Sequence, residues 1–465
     1  MTPFPKRPAR GALKAPKAVN RERFRLNNGL EIVFVQDRRF PLLTASLAVR
    51  GGSASVPAED AGLADACARL LTEGTRKRGA KDVAEKAESF GGDIEAFATK
   101  DHIIIDAFAL AEHARGMFDL LAEVALRPAF PSKEIAIRKR NMLDELRLLR
   151  GRADALASVA FHEGVFGGHP YGVVSATEDS ISRITGARLK RLHERLFFPG
   201  NASLVVVGDI TQGRLRRELR RSFASWRPVD APPVPPPPPP DPVPEGGRRI
   251  ILRDRPGSVQ AALRLGGLAL TERHPRHYPL LVANMVLGGL ISSRLWVDLR
   301  EMKGYTYSVE SSLDAHRMAG TFLVKTQVRT EVTREALEAV LGHLRRMREE
   351  LVTGDELKAA KNVLIGEFAR ALATQEGVAR LVRHELLHGL PPDHLDAFAK
   401  NILGVTAAQA RRAAREYMDP DRMLIVLVGK ARAIEKNLGG LLGWPILRGG
   451  PAREKTRPRR ISRQV

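Results

Sequence analysis

The chain carries one order of predicted elements twice, about 200 residues apart, and this duplication constrains its fold more than any other feature. Both halves open with a pair of strand-like segments and close on a short apolar strand: LEIVFVQD (30–37), TASLAVRGG (44–52) and NASLVVVGDI (201–210) in the first, RIILRD (249–254), QAALRLGG (260–267) and MLIVLVGK (423–430) in the second. Between these ends, each half has a helical region, a strand pair and long amphipathic helices. Strand hairpins followed by runs of helices predict an α+β fold of two homologous domains, each a mainly antiparallel sheet packed with helices.

A polyproline tract lies between the two halves. Residues 232–244 read PPVPPPPPPDPVP, a composition that favours an extended, semi-rigid segment. We interpret it as an interdomain linker, with a ligand for a proline-binding module as the alternative. The predicted organisation is as follows: a basic flexible arm (1–21), an N-terminal domain (22–230), the Pro-rich linker (231–247), a C-terminal domain (248–445) and a basic tail (446–465).

Composition excludes several classes of protein. The single cysteine, Cys67, excludes an internal disulfide framework and a multi-cysteine zinc site. The net charge of +22 comes largely from the two ends: eight Lys/Arg and one Glu in residues 1–25, seven Lys/Arg and one Glu in residues 446–465. With only 5% aromatic residues, we expect no nucleic-acid partner. We also expect no transmembrane segment, and a cytoplasmic location, because no long apolar run or secretory signal is visible.

Six segments carry a resemblance to a known family: GLADACARLLTEGT (62–75), FGGDIEAFATKD (90–101), NMLDELRLL (141–149), FGGHPYG (166–172), ISRITGARLKRLHERLFFPGNASLVVVGDI (181–210) and SSRLWVDLREMKGYTYSVESS (292–312). In this order they resemble the pitrilysin/insulinase (inverzincin) superfamily of metallopeptidases. The similarity is greater to its processing-peptidase-like branch of roughly 50 kDa subunits. The resemblance implies two peptidase-like domains around a cavity.

The zinc motif of that family is degenerate here. The resemblance places the His-x-x-Glu-His motif on Asp65, Ala68 and Arg69, and the third ligand on Glu145. Both histidines and the catalytic Glu are therefore replaced, so we expect no metal or other cofactor bound by this chain. Arg69 is expected to take the place of the metal and to pair with Glu145, Asp65 or both. An unusual Asp65/Glu145 metal site is the alternative.

A second family motif is intact. The resemblance implies that Arg300 and Tyr307 bind the substrate backbone and stabilise the tetrahedral intermediate, as catalytic residues acting in trans. Gly304 allows the chain to turn between them, and strand alternation predicts Tyr305, Tyr307 and Val309 on one face. Surface charge and a core tyrosine are the alternative interpretation of the pair.

The resulting hypothesis is a metallopeptidase homologue that is inactive alone. It would be the non-catalytic, substrate-binding subunit of a heterodimeric zinc endopeptidase, with zinc in a paralogous partner and a peptide or unfolded protein as substrate. One alternative is a structural or assembly subunit without a peptidase role, like the peptidase-derived core proteins of the cytochrome reductase. Another is an autonomous zincin, because His384, Glu385 and His388 match H-E-x-x-H and His394 follows at the spacing of a third ligand. We interpret that match as a chance motif.

Overall fold

The computed structural model describes residues 19–241, 249–439 and 446–449. The first half contains the strands β1 (Glu22–Arg25), β2 (Glu31–Gln36), β3 (Leu42–Arg50), β4 (Asp93–Ala98), β5 (His102–Leu110) and β6 (Ala202–Gly208). Its helices are α1 (Leu63–Arg69), α2 (Ala80–Glu88), α3 (Ala114–Leu126), α4 (Ser132–Arg150), α5 (Ala153–Phe166), α6 (Glu178–Ser182), α7 (Gly186–Leu196) and α8 (Gln212–Ser222).

The second half follows the same plan. Its strands are β7 (Arg249–Asp254), β8 (Gln260–Ala269), β9 (Thr306–Ala315), β10 (Gly320–Arg329), β11 (Leu424–Gly429) and β12 (Ile446–Gly449). Its α-helices are α9 (His277–Asn284), α10 (Thr333–Glu349), α11 (Gly354–Leu372), α12 (Gln375–His388), α13 (His394–Gly404), α14 (Ala407–Tyr417) and α15 (Ala431–Leu438). Two π-helices, Met285–Gly289 and Trp296–Met302, lie between α9 and β9.

The two sheets match in five of their six strands, and only the edge strands β1 and β12 differ, because β1 pairs antiparallel with β2 and β12 pairs parallel with β7. The strand order is β1-β2-β6-β3-β5-β4 in the first half and β12-β7-β11-β8-β10-β9 in the second. Each sheet has one parallel pair of equivalent strands, β2 with β6 in the first half and β7 with β11 in the second. The pairings that follow in the strand order, from β6 to β4 and from β11 to β9, are all antiparallel. The α+β fold of two duplicated, mainly antiparallel domains that the sequence predicted is therefore confirmed.

Each half also sends one helix onto the sheet of the other. Helix α5 packs through Ala157 and Phe161 against Val426 and Val428 of β11 in the second half. Helix α12 packs on the outer face of the first sheet, as a further cluster shows: Val33, Val35, Val205 and Val207 with Val378 and Val382. This reciprocal burial of apolar side chains stabilises the contact between the two halves.

Parts of the segments between and beyond the domains lie within the described residues. In the linker, the Val234 amide donates to Asn201 Oδ1 at 2.8 Å, and the Pro238 carbonyl lies 2.7 Å from His169 Nε2, so residues 234–238 follow the surface of the first domain. At the end of the predicted arm, Arg21 pairs with Asp396 of α13 at 2.9 Å. Strand β12, predicted as the start of the tail, pairs with β7. Residues 1–18, 242–248 and 450–465, which hold the rest of these segments, lie outside the described residues.

No helix within the described ranges combines the length and the apolarity that crossing a bilayer requires.

Candidate functional site

The degenerate zinc motif lies on α1. One face of this alanine-rich helix is fully buried, and it includes Cys67 and Ala68. Asp65 and Arg69 lie one turn apart on the other face, where Arg69 Nε is 3.3 Å from Asp65 Oδ1. Burial raises the pKa of the Cys67 thiol to about 12, so this cysteine is a core residue and not a metal ligand.

A different arginine joins the two carboxylates. Arg138 of α4 donates through Nη2 to Asp65 Oδ2 at 2.7 Å and through Nη1 to Glu145 Oε1 at 2.8 Å. Its side chain is 13% exposed. Burial acts against its charge, but the hydrogen bonds and charges of Glu145 and Asp65 leave the pKa of Arg138 above its ordinary value.

Arg69 forms the expected ion pair with Asp65, but the expected place of the metal, between Asp65 and Glu145, is taken by Arg138. Arg69 has 54% of its side chain exposed and pairs with Asp65 at the edge of the site, whereas Arg138 lies between Asp65 and Glu145. Sequence reasoning missed Arg138, although a signal was present. Arg138 precedes Glu145 by seven residues, two helical turns, and so lies on the same face of α4.

These residues do not fit a zinc ion. Zinc sites use neutral imidazole, thiolate or carboxylate ligands. Here the two carboxylates are already bridged by a guanidinium, Ala68 offers no donor, and Arg69 adds a second cation. A cavity of about 540 Å³ opens beside this network, with Lys100 also in its wall. The position has the chemistry of an ion-pair network, and no hydrolytic step can be assigned to it.

Arg300 and Tyr307 are brought together by the turn that the sequence predicted. Arg300 lies in the π-helix Trp296–Met302, and its Cζ is 4.2 Å from the Trp296 ring centroid and 4.9 Å from that of Tyr307. Gly304, at φ +61°, lies between helix and strand, and the Tyr305 amide donates back to the Leu299 carbonyl at 2.9 Å. Tyr307 is 84% exposed and Arg300 is half-buried, so another molecule can reach both residues.

The side chains around Tyr307 in β9 do not alternate between the two faces of the sheet as the sequence predicted. Val309 is 1% exposed, whereas Tyr307 is 84% exposed, so the two side chains do not share a face as predicted. The reason is a β-bulge: the register of β9 with β10 shifts between Thr326 and Val328, and two residues of β9 oppose Gln327 alone. A bulge changes the direction of the side chains around it, and here it accompanies the outward position of Tyr307.

The residues of the H-E-x-x-H match on α12 lie in two separate environments. Glu385 is fully buried and accepts a hydrogen bond from Arg23 at 2.9 Å, so it is in a structural ion pair. Burial raises the pKa of Glu385, although Arg21 and Arg23 oppose the shift. His394 lies 3.2 Å from the Tyr278 hydroxyl. The zincin arrangement of a catalytic Glu beside two ligands is therefore not formed.

His384 and His388 instead face a residue that sequence reasoning missed. Glu272, in the loop after β8, lies 2.5 Å from His384 Nε2. Burial acts to raise the pKa of Glu272, but the hydrogen bond to His384 and the nearby His388 and His277 lower it to about 2. Burial and the neighbouring His384 lower the pKa of His388 to about 4. Glu272 and His384 are 112 positions apart in the sequence, so no local motif could identify this contact.

The two duplicated domains, each of which packs one helix on the sheet of the other, have the two-domain architecture of the pitrilysin-type metallopeptidases. The family model described as insulinase (peptidase family M16) matches residues 32–173, and the model described as the peptidase M16 inactive domain matches residues 183–364. The chain belongs to the insulinase family, peptidase family M16. The expected superfamily is thereby confirmed.

Individual relatives agree with this assignment. A protein named uncharacterized zinc protease YmxG from Bacillus subtilis is 24% identical over 408 residues, which cover 87% of this chain and 98% of the relative. A protein named zinc protease from Mycobacterium tuberculosis (strain H37Rv) is 27% identical over 400 residues, covering 84% and 90%. The crystal structure of a peptidase M16 inactive domain from Pseudomonas fluorescens superposes with a TM-score of 0.81 at 26% identity, covering 88% of this chain and 98% of that one. These similarities support a peptidase-related role.

Proposed function

We propose that this chain is the non-catalytic, substrate-binding subunit of a heterodimeric, pitrilysin-type zinc endopeptidase. In this proposal Arg300 and Tyr307 act on a peptide or unfolded-protein substrate held at a zinc site of a paralogous partner subunit. The partner's zinc would supply the activated water. The proposal does not require metal at Asp65 and Glu145.

One observation carries the proposal: the exposed contact between Arg300 and Tyr307. Within the described residues, no carboxylate lies at ion-pair distance from Arg300, and its guanidinium lies over the rings of Trp296 and Tyr307. An arginine held over aromatic rings keeps its N–H donors directed outward for a further partner. A phenol that is 84% exposed likewise has its O–H available.

Such a pair has a defined use in peptide hydrolysis. The guanidinium and the phenol can both donate to the oxygen on which negative charge develops when a carbonyl is attacked. They do not activate the water themselves. The Asp65–Arg138–Glu145 network supplies no such activity either, so the proposal assigns this task to the partner.

The test is turnover by the assembled complex. The chain is purified, combined with a zinc-bearing relative of similar length from the same organism, and assayed on a fluorogenic peptide. Arg300→Ala and Tyr307→Phe should each lower kcat/KM by about 10²–10³-fold, the usual scale for one such donor. Complex formation, followed by analytical ultracentrifugation, should be unchanged.

Arg345→Ala is a matched control, because Arg345 is an exposed arginine on α10 of the same domain. It should leave both turnover and assembly as they are. Full activity in both Arg300→Ala and Tyr307→Phe would contradict the proposal and favour the structural or assembly subunit. Peptidase activity of this chain alone that depends on Glu385 would favour the autonomous zincin.

A further inference from the structure

Three metal-ligating side chains converge at the C-terminal end of α12, away from the degenerate motif on α1. His384 and His388 lie one helical turn apart, with ring centroids separated by 4.3 Å. Glu272 approaches from the loop after β8. One potential ligand atom from each of the three lies within 4.8 Å of the other two.

The donor set is the one that zinc prefers. Two imidazole nitrogens and one carboxylate oxygen make up a common three-ligand zinc site, with metal–ligand distances of about 2.0–2.2 Å. Tetrahedral ligands at those distances lie about 3.3 Å apart. The observed limit of 4.8 Å is therefore within reach of small side-chain rotations.

The surroundings also differ from those of the altered motif on α1. Three histidines lie near Glu272, namely His384, His388 and His277, and the hydrogen bond that Glu272 makes is to His384. At Asp65 and Glu145, by contrast, the guanidinium of Arg138 takes the hydrogen bonds that a metal would need. Histidine can give up its proton and bind a metal near neutral pH, whereas arginine cannot.

We propose that Glu272, His384 and His388 form a binding site for a divalent transition metal, with zinc as the best match. The metal would replace the hydrogen bond between Glu272 and His384 and draw in His388. The proposal departs from the expectation that this chain binds no metal, and it is independent of Arg300 and Tyr307.

The site has a structural task and not a hydrolytic one. Glu385, the residue that would act as base in a zincin, is fully buried and held by Arg23. Helix α12 packs on the sheet of the first half, so a metal at its last turn would fix this helix to the loop after β8. The ion would thereby strengthen the contact between the two domains.

The position is also open to entry. His384 is 41% exposed, and both His384 and Glu272 line a cavity of about 330 Å³. His277 and His394 lie in the wall of the same cavity. A hydrated ion can therefore reach Glu272 and His384 without unfolding of the domain, and His388 lies one helical turn beyond His384.

The experiment uses the full chain, stripped of metal by a chelator and dialysed. ZnCl₂ is titrated by calorimetry, and bound zinc is counted by mass spectrometry after gel filtration. We expect one zinc per chain in the wild type. Loss of a partner that only supports a ligand weakens metal binding by 10–100-fold, so Glu272→Ala, His384→Ala and His388→Ala should each weaken it by at least about 100-fold. CoCl₂ should give the intense visible bands of a four-coordinate site.

Two control variants locate the site. His113→Ala removes a histidine that also stands beside a carboxylate, Glu112, in the first half, and should leave binding unchanged. Glu145→Ala tests the degenerate zinc motif, and this variant should also retain zinc. His388→Gln serves as a milder variant, and circular dichroism checks that each variant is folded. Absence of zinc binding by the wild type, or binding that survives all three ligand substitutions, would overturn the proposal; so would loss of zinc in Glu145→Ala.

Discussion

Replacing Arg138 by Met should destabilise the first domain, because Arg138 is the only described cation that contacts both Asp65 and Glu145. Methionine keeps most of the length and the helix propensity of arginine, so the change removes charge and hydrogen bonds with little loss of packing. The effect can be estimated from the geometry.

Two contributions set the magnitude. Asp65 and Glu145 are 33% and 59% exposed, so each ion pair belongs to the surface class and is worth about 0.2–1 kcal/mol. Asp65 Oδ2 and Glu145 Oε2 bond the same Nη2 at 2.7 and 3.1 Å, and therefore lie at most about 5.8 Å apart. Without the cation they repel each other by about 0.7–1.4 kcal/mol for an effective dielectric constant of about 40–80. The expected loss in the free energy of unfolding is about 2 kcal/mol.

Urea unfolding of each variant at pH 7 and low salt, followed by circular dichroism, measures this loss. Arg140→Met is the control, because Arg140 is an exposed arginine on the same helix. The loss in the free energy of unfolding caused by Arg138→Met should be smaller in 1 M NaCl, where the charges are screened, and in an Asp65→Asn/Glu145→Gln background, where they are absent. Equal costs for Arg138→Met and Arg140→Met, or a cost that neither salt nor the neutral background reduces, would refute the reasoning.

Two further predictions concern the core and the domain contact. Burial and a pKa of about 12 should make Cys67 unreactive towards a disulfide reagent at pH 8 in the native chain, with one thiol appearing in guanidinium; reaction in the native state would contradict its core position. Arg383 of α12 lies 2.6 and 2.7 Å from the carboxylate oxygens of Asp106 on the first sheet, so Arg383→Met should lower stability by about 1 kcal/mol in the same urea assay. Arg380→Met, an exposed change on the same helix, should have no effect, and equal costs would show that the contact between the halves does not depend on this pair.

The fold could be predicted because the same order of strands and helices appears in both halves of the sequence. A strand pattern at 249–267 that repeats the pattern at 30–52 indicates the same sheet without any knowledge of contacts. The exchange of α5 and α12 could not be predicted in this way. Amphipathic periodicity shows that a helix buries one face, but it does not show which sheet covers that face.

Partnerships across long sequence separations were beyond the same reasoning. Asp65 and Glu145 were recognised by position in a family motif. The seven-residue spacing places Arg138 on the same face of α4 as Glu145, but only the contact of α4 with α1 shows that Arg138 reaches Asp65. Glu272 reaches His384 from 112 residues away. In both cases the chemistry of the site depends on a long-range contact that the local pattern does not mark.

The irregular backbone around Arg300 becomes clear when the two halves are compared. In the first half, α2 leads through Gly91, at φ +63°, into the regular edge strand β4. In the second half, the equivalent segment leads through Gly304, at φ +61°, into β9. The connection is thus the same, but the helix has become a π-helix and the strand has gained a bulge.

Among the residues that the structure describes, both irregularities occur only in the half that carries the Arg300–Tyr307 pair. π-Helices and bulges each disturb regular hydrogen bonding, and they occur preferentially where a side chain must be redirected for function. A structural or assembly role alone would be served equally well by the regular version seen in the first half. The difference between the two copies therefore supports the peptide-binding role proposed for this pair, on grounds that do not depend on the altered motif at Asp65.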